Sequence, residues 1–185
     1  HRVDRRQRQM CIRDSSMNDL VDQVISQWTA ECPNQDFAAM TVVTRVFRLN
    51  AFAARNVNRS FRRYNLHQGE FDVLATLYRT GAPHAMNPQK LVEALLLTSG
   101  AMTNRLDRLE QAGLLVRNPN PDDRRGIIVS LTTEGLRVIK LVLKDYLKDL
   151  NELLDPLSPA ERKQMAGLLK KLLIKHDQEL SLIHI

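Results

Sequence analysis

The sequence predicts a mainly α-helical fold with one small β-hairpin. Two observations predict it. Apolar residues recur at helical 3–4 spacing over most of the chain, and the period switches to that of strands only between Leu114 and Leu131. Start and stop signals cut the middle of the chain into three short helices, whereas the helices on either side run long.

Residues 18–30 place Leu20, Val21, Val24, Ile25 and Trp28 on one face of a short amphipathic helix. The segment ECPNQD breaks it, and Asp36 is placed to cap a helix that runs to about Tyr64. Met40, Val43, Val46, Phe47, Leu49, Phe52 and Ala53 give that helix a wide apolar face. Arg55, Arg59, Arg62 and Arg63 gather at its C-terminal end, where cations suit the helix dipole. GEFDVLATLYRTG is a short, almost wholly apolar helix. Asn87-Pro88 starts the next one, with Asn as N-cap and Pro in the first turn. Thr98 caps a third, SGAMTNRLDRLEQA, which Gly113 closes. LLVRN and IIVSL read as strands around the turn-rich PNPDDRRG. Thr132 caps a long helix ending near Asp155-Pro156, and Ser158-Pro159-Ala160-Glu161 is a capping box that opens a last helix through about Gln178. Three short helices followed by a hairpin with a charged tip make a winged helix-turn-helix unit.

Residues 17–180 therefore read as one domain. Residues 66–132 are the winged helix-turn-helix, DNA-binding part, and residues 18–64 and 133–178 are the helical dimerisation part. The long flanking helices are too apolar for the small wing unit to cover, so a two-fold homodimer is expected. Residues 1–16 show no period and are expected to be extraneous or disordered, with Met17 as the natural start. Residues 181–185 (SLIHI) break the preceding pattern and are expected to be an extraneous tail.

Composition bounds the function. Apolar residues make up 43% of the 185 and charged residues 26%, as in ordinary globular proteins. No apolar run approaches the roughly 20 residues of a membrane helix. Cys11 and Cys32 cannot build a disulfide framework or a zinc site, so a cytoplasmic protein with no bound metal or cofactor is expected. The net charge is +6. Five Arg and two Asp fall in residues 1–16, which leaves 22 basic against 19 acidic side chains beyond them. That mild excess permits nucleic-acid binding without requiring it.

The run from Leu66 to Gly135, carried by LTSGAMTNRLDRLEQAGLLVRNPNPDDRRGIIVSLTTEG, resembles the MarR family of winged-helix regulators. The Asp123-x-Arg125-Gly126 wing tip followed by Leu131-Thr132 and Gly135 carries the resemblance, and the flanking helices extend it over residues 18–178. The resemblance implies a homodimeric transcription factor, typically a repressor, that binds a palindromic operator in double-stranded DNA and lets go when a small ligand binds. SQW in the first helix, GEFDVLATL and SGAMTNRLDRLE are similar to the urate-responsive branch. That likeness implies a ligand site of Trp28, Asp72, Arg105 and Arg117 for a planar aromatic anion, with urate foremost.

The residues themselves support a site. Met102, Leu106 and Leu109 mark the inward face of the third short helix, and Arg105 lies about 60° from Met102, at the edge of that face. An Arg there demands a partner. Asp72 reads as the lone acid of an otherwise apolar helix and poses the same demand. A plain buried salt bridge between them, or a shared ligand, satisfies both. On the opposite side, Ser99, Thr103 and Asn104 are candidates for base edges, and Asn suits a bidentate contact with adenine. Arg108 is expected to meet phosphate or a nearby acid. Arg125 is expected in the minor groove, held by Asp123, with Arg124 on phosphate. The Arg55–Arg63 cluster is either helix capping or a sign of nearby DNA.

Other classes fit less well. His67, His84 and His176 have no metal-ligand spacing, and no nucleophile motif, phosphate loop or carboxylate pair points to an enzyme. Cys32 could sense oxidants, but Glu31 beside it disfavours the thiolate. The same dimer could also answer a different phenolic or antibiotic ligand.

Overall fold

The computed structural model describes the backbone of residues 18–120 and 123–183, and the side chains of residues 18–120 and 126–177. Its elements, in chain order, are α1 (Leu20–Glu31), α2 (Ala38–Arg62), α3 (Gln68–Arg79), β1 (Ala85–Met86), α4 (Pro88–Leu95), α5 (Ser99–Gln111), β2 (Leu115–Asn120), β3 (Asp123–Leu131), α6 (Thr133–Leu153) and α7 (Pro159–Ile183). Two compact units meet within α2, one up to Ala54 and one from Arg55 onward.

In the N-terminal unit, Asp19 and Asp22 form a reciprocal capping box at the start of α1. Arg45 of α2 binds both carboxylates, Nε to Asp19 at 2.9 Å and Nη2 to Asp22 at 2.6 Å. Asp36 accepts a hydrogen bond from the Ala38 amide, as its capping role requires. Trp28 is 46% exposed and tilts against Phe37, with ring centroids 6.3 Å apart.

In the larger unit, the core forms where α3, α5 and α6 bury Leu74, Leu77, Met102, Leu109 and Ile139. Phe61 of α2 stacks on Phe71 of α3 at 4.5 Å, and Tyr146 of α6 lies 5.0 Å from Phe71. The Tyr64 hydroxyl donates to Asp145 at 2.9 Å. These contacts fasten the end of α2 to α3 and α6.

The caps fall where local chemistry puts them. Asn87 accepts from the Gln89 amide and Thr98 from the Ala101 amide. Thr132 accepts from the Gly135 amide and donates to the Gly113 carbonyl at 2.7 Å. Ser158 and Glu161 form the expected capping box. The Thr132–Gly135 step has a steric reason as well. A Cβ at Gly135 would stand 1.8 Å from the Leu114 carbonyl oxygen, so only glycine lets α6 leave β3 so close to the end of α5.

The sheet differs from the two-stranded expectation. β1 joins it, giving an antiparallel order β1-β3-β2 with Ala85 opposite Ser130 and Met86 opposite Val129. Two residues carry no legible period, so β1 is invisible locally. The hairpin strands also run further into PNPDDRRG, with Pro119 paired to Ile127 and an irregularity between Pro119 and Asn120. Proline lacks the ladder N–H, which fits this break in register. The backbone of α7 continues helical to Ile183, past the expected end at Gln178. Residues 1–16 lie outside the described residues.

Candidate functional site

The surface from which the sequence expects base contacts is built by α4, the turn at Leu96–Thr98, and α5. Met102, Leu106 and Leu109 are buried, which turns Ser99, Thr103 and Asn104 outward. Asn104 is exposed, and the Thr103 hydroxyl donates to the Ser99 carbonyl at 3.0 Å. Asp123, Arg124 and Arg125, read from sequence as part of the loop between the strands, fall at the start of β3, and their side chains lie outside the described residues.

Arg108 finds an acid. Its Nη1 lies 3.7 Å from Oε1 of Glu70. Glu70 is buried, and its other oxygen accepts from the His67 amide at 2.8 Å, capping α3. The reading of Asp72 as the lone acid of this helix is therefore corrected: α3 has two. The capping position three residues after His67 was the available signal for Glu70.

Arg105 lies against the first turn of α3. Its guanidinium covers Gly69, where a Cβ would come within 2.5 Å of Cζ and Nε, and its Nη1 reaches the Gly69 carbonyl at a long 3.4 Å. Asp72 is half-buried, and burial raises its carboxyl above the ordinary value, opposed by the charges of Arg105 and Arg79. The two are thus in electrostatic reach, but of the two arrangements left open by the sequence the direct salt bridge is not formed.

Asp72 lines a cavity of about 440 Å³ together with Phe71, Tyr78 and Arg79 of α3 and Leu143 and Tyr146 of α6. That volume falls within the range of small-molecule sites, and aromatic walls with a few polar groups are their usual lining. The cavity and Arg79 were not legible in the sequence, because they depend on how α3 meets α6.

Arg117 goes elsewhere. From β2 it forks onto α5, donating from Nη2 to Asp107 at 2.6 Å and from Nη1 to Glu110. Asp107 and Glu110 lie about 140–200° around the helix from Arg105. Arg117 and Arg105 therefore flank α5 on opposite sides and do not converge in this conformation. Trp28 belongs to the N-terminal unit. Cys32, a free and half-buried thiol, ends α1. No cluster of His, Cys, Asp or Glu able to hold a metal occurs among the described residues. No helix of the described residues is long and apolar enough to cross a membrane.

A three-helix core with a β-hairpin wing and an outward-facing polar helix defines a winged-helix DNA-binding protein. The chain belongs to the MarR family of DNA-binding transcriptional regulators. The MarR family model matches residues 66–127. The HTH-type transcriptional regulator PecS of Dickeya dadantii is 38% identical over 149 residues, covering 80% of this chain and 90% of that protein. A cysteine-to-serine mutant of MarR from E. coli, solved complexed with operator DNA, superposes with a TM-score of 0.63 at 26% identity, over 84% of this chain and 99% of that one. AbsC of Streptomyces coelicolor shares the fold at a TM-score of 0.68 and 19% identity, over 78% and 97% of the two chains.

Proposed function

We propose that this protein is a repressor that binds a palindromic operator as a homodimer and is released by a planar aromatic anion, with urate foremost. The observation that carries the ligand reading is the position of Asp72. It lies half-buried in the wall of an aromatic cavity, within electrostatic reach of an Arg on the recognition helix. The similarity to PecS and to a MarR structure holding operator DNA supports the DNA reading.

Release follows from charge competition. An arriving anion competes with the Gly69 carbonyl for Arg105, and that contact is long enough to give way easily. The guanidinium takes two adjacent acceptors of a flat anion in a forked contact. Asp72 is then left beside a second negative charge in a poorly solvated site, so it takes up a proton or the helix carrying Arg105 moves. Trp28 enters this reading from sequence resemblance and is assigned to pack on the ring. Arg117 joins the ligand only by exchanging its bonds to Asp107 and Glu110, which would loosen β2 from α5. On the DNA side, Ser99, Thr103 and Asn104 read base edges, Arg125 enters the minor groove with Asp123 holding it, and Arg108 and Arg124 meet phosphate.

The dimer follows from exposed apolar surface. Phe47 of α2 is 69% exposed and Leu173 of α7 is 60% exposed, each within an apolar face of its helix. Such faces mark association surfaces.

The test is calorimetric titration of urate into wild type, Trp28→Phe, Asp72→Ala, Arg105→Ala and Arg117→Ala, with and without operator duplex. Binding by wild type, its loss in Arg105→Ala, and reciprocal weakening by operator would support the reading. No binding at millimolar urate would assign the site to another phenolic or antibiotic ligand. Release of DNA by diamide from wild type but not from Cys32→Ser would assign control to the thiol. Sedimentation at the mass of one chain would remove the dimer.

A further inference from the structure

We infer that Arg79 is a further ligand-binding residue: it holds the edge of the ligand that points away from Asp72, so the site takes a planar anion with acceptors on two opposite edges. The inference rests on the reading of the Asp72 cavity as the ligand site.

Asp72, Ala75, Thr76 and Arg79 of α3 all line that cavity. Their spacing puts them on one stripe of the helix, about 100° wide, with Asp72 and Arg79 about 10 Å apart along the axis. Ala75 stands between the two charges, and its small side chain leaves open the space that a larger residue would fill. Thr76, only 2% exposed, adds a hydroxyl-bearing side chain to the same wall. The facing wall is mostly apolar, with Ile139, Leu143 and Tyr146 of α6. The cavity is thus an apolar slot with an acid toward one end and a cation at the other.

Asp72 and Arg79 act on each other across this slot without touching. The Arg79 charge favours the ionised form of Asp72, yet no salt bridge joins them among the described residues. The last turn of α3 suits a cation in any case. What points to a ligand is the space of about 440 Å³ beside that cation and a half-buried acid, since close-packed protein interiors leave few voids larger than a water molecule.

Arg105 stands on the other side of Asp72. It covers Gly69, one turn before Asp72, whereas Arg79 comes two turns after it. Arg79 is the one cation among the described residues that line the cavity. It therefore meets an entering anion while Arg105 is still on Gly69. Its guanidinium fork takes the acceptors of one edge. Arg105 takes those of the opposite edge once it lets go of the Gly69 carbonyl. A ring with acceptors on one edge alone engages one arginine and leaves the other.

The experiment is calorimetric titration of three probes into the full chain. Urate and 4-carbamoylbenzoate each carry acceptors at opposite ends of a flat framework, whereas benzoate carries them at one end. In wild type, 4-carbamoylbenzoate should bind about tenfold or more tightly than benzoate, as one added hydrogen bond to a charged group implies. Arg79→Ala should cancel that difference and weaken urate by about tenfold or more. Arg79→Lys keeps the charge, loses the fork, and should fall between. Ala75→Leu fills the slot and should abolish binding of all three. Arg79 is exposed, and unchanged far-UV circular dichroism checks the fold of its variants. Urate affinity lost in Arg105→Ala but kept in Arg79→Ala would overturn this inference and leave the urate reading intact. No urate binding, with 4-carbamoylbenzoate held through Arg79, would do the reverse. Equal binding of 4-carbamoylbenzoate and benzoate by wild type, full binding by Ala75→Leu, or no binding of any probe at millimolar concentration would also overturn the inference. Loss of operator affinity in ligand-free Arg79→Ala would reassign Arg79 to DNA.

Discussion

The guanidinium of Arg105 rests on Gly69. A methyl group at Gly69 would stand 2.5 Å from its Cζ and Nε. Glycine in the first turn of α3 is thus the seat that lets an arginine of the recognition helix lie flat at the edge of the core. The obstacle to a larger residue is the end of a flexible side chain rather than backbone. Gly69→Ala should therefore keep or raise thermal stability, since alanine is the better helix former by up to about 1 kcal/mol. The same exchange pushes Arg105 off the backbone that it must leave to reach the anion, so urate affinity should be kept or raised. A roughly tenfold loss of urate affinity in calorimetry would contradict the competition between Gly69 and the anion.

Gly135→Ala should behave in the opposite way. The added Cβ meets the Leu114 carbonyl oxygen at 1.8 Å, and backbone cannot swing aside as a side chain can. A loss of roughly 1–3 kcal/mol, the usual cost of overpacking, is expected in urea denaturation. A variant as stable as wild type would show that α6 can leave β3 by another path.

Asp72 gives a pH dependence with a definite sign. Burial raises its carboxyl above the ordinary 3.8, against the charges of Arg105 and Arg79. A raised acid holds its proton more tightly in the folded state. Its contribution to stability is complete below the unfolded value and is lost as pH rises through the folded one. Asp72→Asn escapes that loss. The Tm of the Asn variant relative to wild type should increase from about pH 4 to about pH 7. A Tm difference that stays flat or shrinks over that range would contradict the burial of this carboxyl.

Leu96 sits in the turn before α5 with a φ of 50° and 86% of its surface exposed. A left-handed conformation costs an L-residue about 1–2 kcal/mol, and little burial is at stake here. Leu96→Gly should therefore stabilise the chain by up to about 1 kcal/mol after the extra flexibility of unfolded glycine is counted. A destabilised variant would reveal a packing role for the leucine.

Arg125→Ala tests the wing. The exchange should weaken operator binding by roughly 1–3 kcal/mol and reduce the salt slope by about one charge. Unchanged affinity across a salt series would take the wing tip out of the DNA contact.

Much of this architecture is written locally. Asp19 with Asp22, Asn87, Thr98, Thr132 and Ser158 with Glu161 cap their helices in the structure as their sequence contexts require. Caps and apolar periods act over three or four residues, so neighbouring residue types suffice to reveal them. The inward face of α5 was legible for the same reason. The partners of the charged residues were not. Arg105 takes the Gly69 backbone, Arg108 takes Glu70, and Arg117 takes Asp107 and Glu110 across the angle between β2 and α5. β1, the Asp72 cavity and its Arg79 depend equally on which elements meet. Several acids stand within sequence reach of each arginine, and a charge interacts over distances that no residue pattern encodes. Only the packing of α3, α5 and α6, which fixes the separations and the water left between them, decides which pair forms and which arginine is left for an anion.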